Sequence, residues 1–226
     1  MPLVQAQSKM SRFPTLGFFG LLYLSFTSCS TPPKIAPPPP PPQNYFSAAS
    51  GQPMRRVAFL PIWNARLPAE YLQDVDSAFS TELAKRALFE IVPISRTQLS
   101  NIFGERQLSS VEILPAEALA KLRAQFGVDG VLFTDLTQFS PYRPISMGVR
   151  SKLVDAQSGS IRWAFDYVYD TGNGSVAAAA KNYQRLYTNP NLPLPSDGGS
   201  ILLSPSRFSR YVASETYGTL GLQFPH

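Results

Sequence analysis

Arg56-Val57-Ala58-Phe59-Leu60-Pro61-Ile62 is the stretch that decides the fold class. Val57 to Ile62 is an unbroken apolar run bounded by turn residues, the pattern of a strand buried on both faces. Downstream, Tyr71, Leu72, Val75, Ala78, Phe79, Leu83 and Leu88 recur at helical spacing behind Pro68, which predicts a helix over 69–88. Phe89-Glu90-Ile91-Val92 reads as a second short strand. A buried strand, an amphipathic helix and another strand are the start of an α/β domain.

The pattern continues along the chain. Ser95 is placed to cap a helix over Arg96–Phe103 that stops at Gly104. Pro115 opens another helix, with Leu119, Leu122 and Phe126 on one face and Gly127 behind it. Val128 and the run Gly130 to Phe139 predict a third strand. Ser146–Val154 and Ser160–Tyr169 form a hairpin around Asp155-Ala156-Gln157-Ser158-Gly159, with Gly159 suited to positive φ. In its second arm, Ile161, Trp163, Phe165, Tyr167 and Tyr169 alternate with Arg162, Ala164, Asp166, Val168 and Asp170. Alternation marks a strand with one covered and one wetter face, and the aromatic set is assigned to the core. A helix is predicted over 175–187, capped by Ser175. A Pro/Gly-rich loop over 188–204 follows, then a last helix over 205–220 with Phe208, Tyr211, Val212, Thr216 and Tyr217 on one stripe. The fold class is α/β: a mixed sheet of about five strands packed with helices, over residues 54–222.

Upstream, the character of the chain changes. Residues 29–53 are Pro-rich, and Pro37 to Pro42 would form a stiff polyproline II spacer of roughly 20 Å. Residues 1–28 carry Lys9 and Arg12, then an apolar run from Leu16 to Phe26, then the small residues Thr27 and Ser28 before Cys29. That is the layout of a secretory signal, whose start is Met1 or Met10. It resembles a bacterial lipoprotein signal, which implies cleavage before Cys29, diacylation of that cysteine, and the outer membrane as destination because Ser30 follows. Phe26 stands where such signals usually have Leu.

Composition narrows the function classes. Cys29 is the one cysteine and His226 the one histidine of 226 residues, which removes disulfides, Cys–His pairs, Ser–His–Asp triads and histidine metal sites. No metal or cofactor is expected. The formal net charge of +5 includes the two cations of the signal, and no clustered basic patch points to nucleic acid. Asp170-Thr171-Gly172 has the form of an aspartic-protease segment, but those enzymes are all-β and pair two carboxylates; a strand end before a turn is the better account. Gly172-Asn173-Gly174-Ser175 reads as a capping loop in preference to an anion cradle. Asp166 and Asp170 are spaced roughly 13 Å apart on a strand, too far for a glycosidase dyad.

Several of these segments carry a resemblance over residues 55–170. Arg56-Val57-Ala58-Phe59-Leu60-Pro61 opens the domain, and Phe89-Glu90-Ile91-Val92-Pro93 follows the long helix. Next come Arg96-Thr97-Gln98-Leu99, Ile102-Phe103-Gly104-Glu105-Arg106 and Gly127-Val128-Asp129-Gly130-Val131-Leu132. Lys152-Leu153-Val154-Asp155 and Ile161-Arg162-Trp163 close the set. Their order resembles the periplasmic lipoprotein superfamily that holds the curli secretion subunit CsgG and the penicillin-binding-protein activator LpoB. The resemblance implies helices against a mixed sheet and no catalysis. It implies a lipid-anchored accessory factor on the periplasmic face of the outer membrane, acting in envelope or cell-wall biogenesis. Its partner would be an envelope protein such as a peptidoglycan synthase. The alternative is a subunit of an oligomeric secretion or surface-assembly complex, a homo-oligomer. The one long hairpin carries Arg150, Lys152, Arg162, Asp166 and Asp170, which argues against a membrane-spanning pore. For protein binding, the sequence singles out Tyr142 and Arg143 in Pro141-Tyr142-Arg143-Pro144, since an exposed Tyr beside an Arg suits a hot spot; the other reading folds Tyr142 onto the core. The last helix, with Arg207, Phe208, Arg210, Tyr211 and Tyr217, is either a second contact surface or core.

Overall fold

The computed structural model describes residues 44–48, 53–67, 69–114, 117–187 and 200–221. The signal segment, Cys29, Pro37–Pro42 and the loop over 188–199 lie outside the described residues.

The opening run forms β2 (Arg56–Phe59), preceded by β1 (Tyr45–Ser47). β2 is shorter than the apolar run because Pro61 has no N–H for the ladder. The chain nevertheless stays beside its neighbour: the Leu60 amide donates to Leu132 O and that of Trp63 to Thr134 O. Helix α1 (Ala69–Ala84) ends before the predicted Leu88, because Ala87 turns at φ 52. Then come β3 (Glu90–Pro93), α2 (Arg96–Phe103) and α3 (Ala118–Phe126). The α2 termini match their sequence signals. Ser95 and Gln98 form a reciprocal capping box, and Gly104 closes the helix at φ 77. The long strands are β4 (Gly130–Ser140), β5 (Ser146–Asp155) and β6 (Ile161–Asp170). Helix α4 (Gly174–Tyr187), a 3₁₀ turn (Ile201–Leu203) and α5 (Pro205–Gly221) complete the described chain. Asn173 caps α4, not Ser175: its Oδ1 accepts from the Ser175 amide at 3.0 Å and from the Ser175 hydroxyl at 2.7 Å.

The sheet is mixed, six-stranded and ordered β1-β6-β5-β4-β2-β3. β2 lies parallel to β3 and β4, and the other pairs are antiparallel. The sixth strand is β1, drawn from a segment the sequence reading places in the linker; Phe46 sits opposite Ala164 of β6.

The two faces are covered unequally. One face is buried along most of its width by α1, α4 and α5. Phe79 and Leu83 of α1, Ala180 of α4 and Phe208, Val212 and Tyr217 of α5 meet Leu132, Val149, Leu153, Trp163 and Phe165. Aromatic edges lock this layer: Phe79 and Tyr217 meet at 88° with centroids 5.8 Å apart. The last helix is therefore core along its Phe208–Tyr217 stripe. On the other face, Leu99 of α2 and Leu122 of α3 cover only Ala58, Leu60, Val131, Phe133 and Val154. Those residues belong to β2 and the position after it, to β4 and to the end of β5. Over β5, β6 and β1 this second face carries no helix of the described chain.

Candidate functional site

The half-sheet that no helix of the described residues covers is the feature that the fold leaves unexplained. Its residues follow from register. Lys152 pairs with Ala164, Arg150 with Asp166 and Gly148 with Val168, so these side chains share the face on which Phe133 and Val131 are buried further across. Phe46 extends the Ala164 row onto β1.

Ile161 joins them through an irregularity. The β5–β6 register shifts between Leu153 and Val154, so Leu153 faces Trp163 while Val154 faces Ile161. Strict alternation would place Ile161 with Trp163 in the core, as the sequence reading has it. The bulge instead turns Ile161 outward and buries Arg162, whose guanidinium lies 3.6 Å from Asp155. The result is an apolar set facing solvent: Phe46 at 54% exposure, Ile161 at 45% and Val168 at 45%.

One margin of this area is built rather firmly. The 107–113 segment folds over β4 and is pinned by Asp135, a carboxylate buried in the sheet. Asp135 accepts from the Ser110 amide at 2.7 Å, the Ser110 hydroxyl at 2.7 Å and the Ser109 hydroxyl at 2.9 Å. Pinned in this way, the segment presents Val111 to solvent beside the groove. A groove of about 440 Å³ results, lined by Phe46, Val111, Arg150, Lys152, Ile161 and Ala164 among others.

The charges on this face are paired unequally. Arg150 Nε and Asp166 Oδ2 are 2.8 Å apart and neutralise one another. Lys152 Nζ instead rests over the Phe133 ring, 5.2 Å from its centroid. Burial pulls its ammonium below the usual lysine range, and the field of Asp135 opposes that only in part. Among the described residues no carboxylate forms a salt bridge with Lys152. Lys152 thus feels the field of Asp135 but has no direct ion pair, in a trough that Arg150, Asp166 and Ser110 line along with the apolar groups.

A second cleft, of about 500 Å³, lies between α1 and the start of α2. Two of its charged groups, Asp76 and Arg96, are committed to holding elements together. Arg96 donates to Asp76 Oδ2 at 2.7 Å, Ile62 O at 3.1 Å and Gln107 Oε1 at 3.2 Å. Asp76 also accepts from the Ile62 amide at 2.7 Å. This network braces α1, α2 and the end of β2.

Tyr142 and Arg143 occupy the β4–β5 connection, at the end of the sheet where Ser146 faces Asp170. Tyr142 is 80% exposed, so it is not folded onto the core. The two residues lie outside the groove lining. Asp170 forms a local turn, its Oδ1 accepting from the Gly172 amide at 2.7 Å. Among the described residues there is no group of three or more His, Cys, Asp or Glu placed to hold a metal, and no helix long and apolar enough to cross a membrane.

The sequence reading did not single out this face; it left Phe46 in the linker and assigned Ile161 to the core. It assigned Ala164, Asp166 and Val168 to the wetter side of β6, which was the available signal. Nothing in the local pattern announces that β1 pairs 118 residues downstream.

No family model and no curated protein matches this chain. Solved structures similar to it include the PelC dodecamer from Paraburkholderia phytofirmans, at 16% identity over 60% of this chain and 86% of that one, TM-score 0.40. Lipoprotein GNA1162 from Neisseria meningitidis is 17% identical over 59% of this chain and 99% of that one, TM-score 0.40. The LpoB C-terminal domain from Escherichia coli is 20% identical over 53% of this chain and 86% of that one, TM-score 0.35. The neighbours thus include an LpoB domain and a lipoprotein, the kind of protein the sequence resembles. Values this low carry no role from them to this chain.

Proposed function

We propose that this chain is a non-catalytic accessory lipoprotein of the bacterial envelope. In this reading Cys29 carries the lipid, the outer membrane holds the anchor on its periplasmic face, and the folded domain binds another envelope protein. A peptidoglycan synthase is the leading class of partner. The observation that carries the reading is the half-sheet left without a helix among the described residues, where Phe46, Ile161 and Val168 face solvent on a surface whose other half is sealed by two helices. Exposed apolar groups clustered on a rigid element mark a protein contact. Tyr142 and Arg143 extend the contact surface just before the start of β5, where an aromatic and a guanidinium can act as anchors.

Chemical crosslinking of intact cells that produce the full chain with a C-terminal tag tests this. The expected result is one envelope protein recovered with the parent chain, lost with Ala164→Arg and weakened with Tyr142→Ala or Arg143→Ala. Recovery of the same proteins from parent and Ala164→Arg chains would remove the half-sheet from the reading. A ladder of the chain with itself alone would favour an assembled complex of copies.

A further inference from the structure

The half-sheet also limits the shape and charge of what can cover it. Strands lie about 4.8 Å apart, so β5 and β6 present a strip roughly 10 Å wide, which β1 widens to roughly 14 Å beside Trp163–Phe165. That matches the 10–12 Å diameter of one α-helix with its side chains. Ile161 to Val168 spans roughly 23 Å at strand rise, the length of a helix of about 15 residues. The same face is already sealed by helices over β2 and β4, so one more helix completes the layer. A strand added to the edge of β1 would fit less well. β1 is three residues long, and an edge strand would leave Ile161, Ala164 and Val168 uncovered. Within the strip, Ala164 is small and forms the floor, while Phe46, Ile161 and Val111 form the walls.

Charge selects further. Arg150 and Asp166 pair directly, whereas Lys152 has only the field of Asp135, whose oxygens are taken up by Ser109 and Ser110. A carboxylate arriving there would give Lys152 a direct ion pair in a partly dry setting, where such a pair matters more than at a free surface. A basic residue at that point would meet Lys152 head on.

We infer that the open half-sheet seats an amphipathic α-helix of the partner, its apolar stripe against Phe46, Ile161, Ala164 and Val168 and an acidic residue of that stripe against Lys152. This rests on the docking reading above and gives the partner's contact segment a shape and a sign. It is the helix-in-groove mode of recognition with the groove supplied by a sheet.

Two labelled 18-residue peptides, acetylated and amidated, test it against the purified full chain by fluorescence anisotropy. Both are built from Leu, Ala and Gln with Leu at helical spacing; one has a Glu within the stripe and its twin a Lys. The Glu peptide is expected to bind roughly tenfold more tightly than the twin, a 1.4 kcal/mol preference. Lys152→Glu should invert that order. Ala164→Arg and, independently, Val168→Arg should abolish binding of both while circular dichroism shows the fold intact. Binding of neither peptide to the parent, an order unchanged by Lys152→Glu, or binding that survives both arginine variants would overturn the inference. A face covered by the chain's own residues or by a second copy gives the first of these results, and sedimentation tells those two apart. If cells still yield a partner that Ala164→Arg loses while neither peptide binds, the helix is wrong and the docking reading stands. If no partner depends on Ala164, the docking reading itself has failed.

Discussion

At the scale of single residues, two positions show how local chemistry sets the margins of the fold. Asp135 is 1% exposed and would be costly as a bare charge, yet both its oxygens accept hydrogen bonds from Ser109 and Ser110. Asp135→Ala would strand an amide and two hydroxyls away from water. The expected loss is about 2–4 kcal/mol by urea denaturation. Amide exchange at Ser110 and Val111 should accelerate more than in α1, since the 107–113 segment loses its pin. An equal acceleration everywhere would mean that Asp135 serves global stability alone. Ala87 is the opposite case, a side chain held at φ 52 where glycine is at ease. The left-handed conformation costs a non-glycine residue about 1–2 kcal/mol, and glycine gives back part of that in unfolded-chain entropy. Ala87→Gly should therefore stabilise the domain by about 0.5–1 kcal/mol, read as a higher urea midpoint at constant slope. A lower midpoint would show that the Ala87 methyl group makes contacts outweighing its strain.

At the scale of elements, the sequence was most legible where chemistry is local. The α2 boundaries follow from Ser95, Gln98 and Gly104, and the hairpin turn from Gly159 at φ 71. The end of α1 was not legible, because an alanine occupies the position where glycine would signal a stop. Nor was the reversal of Ile161 and Arg162, which depends on a register shift in the partner strand rather than on either residue's neighbours. Helix α5 was legible as a stripe, and the structure shows which way the stripe turns. It also places Glu215 among Arg86 and the tyrosines Tyr169 and Tyr211. Burial raises the Glu215 carboxyl above its ordinary value of 4.5, and Arg86 offsets this only in part. The folded state then holds that proton more tightly than the unfolded chain does. Its contribution to stability is present at low pH and is lost as pH rises from 4.5 through the folded value. Glu215→Gln removes the titration. Urea melts of parent and variant should accordingly diverge in the variant's favour between pH 4 and pH 7. A gap that stays constant with pH would mean that Arg86 compensates the carboxylate in full.

At the scale of the whole molecule, the two halves of one sheet face have opposite meanings although their strands are continuous. Phe133 on β4 and Val168 on β6 project from the same face. Phe133 is fully buried under the α2–α3 layer, whereas Val168 is 45% exposed. A cation introduced at each position reports whether that division holds in the complete chain. Phe133→Arg places a guanidinium in a sealed apolar layer and should cost more than about 4 kcal/mol, enough to prevent folding of a domain of ordinary stability. Val168→Arg leaves its charge in water and should change stability by no more than about 0.5 kcal/mol. The contrast is sharp because both substitutions bring the same cation to the same sheet face, one under cover and one in the open. If Val168→Arg instead destabilises the monomer by several kcal/mol at every protein concentration, residues of the same chain must seal the half-sheet. If its cost grows with concentration in the parent comparison, a second copy is the cover. A cost near zero at all concentrations leaves the face free for a partner, so that the half which adds nothing to the stability of this domain is the half available for recognition.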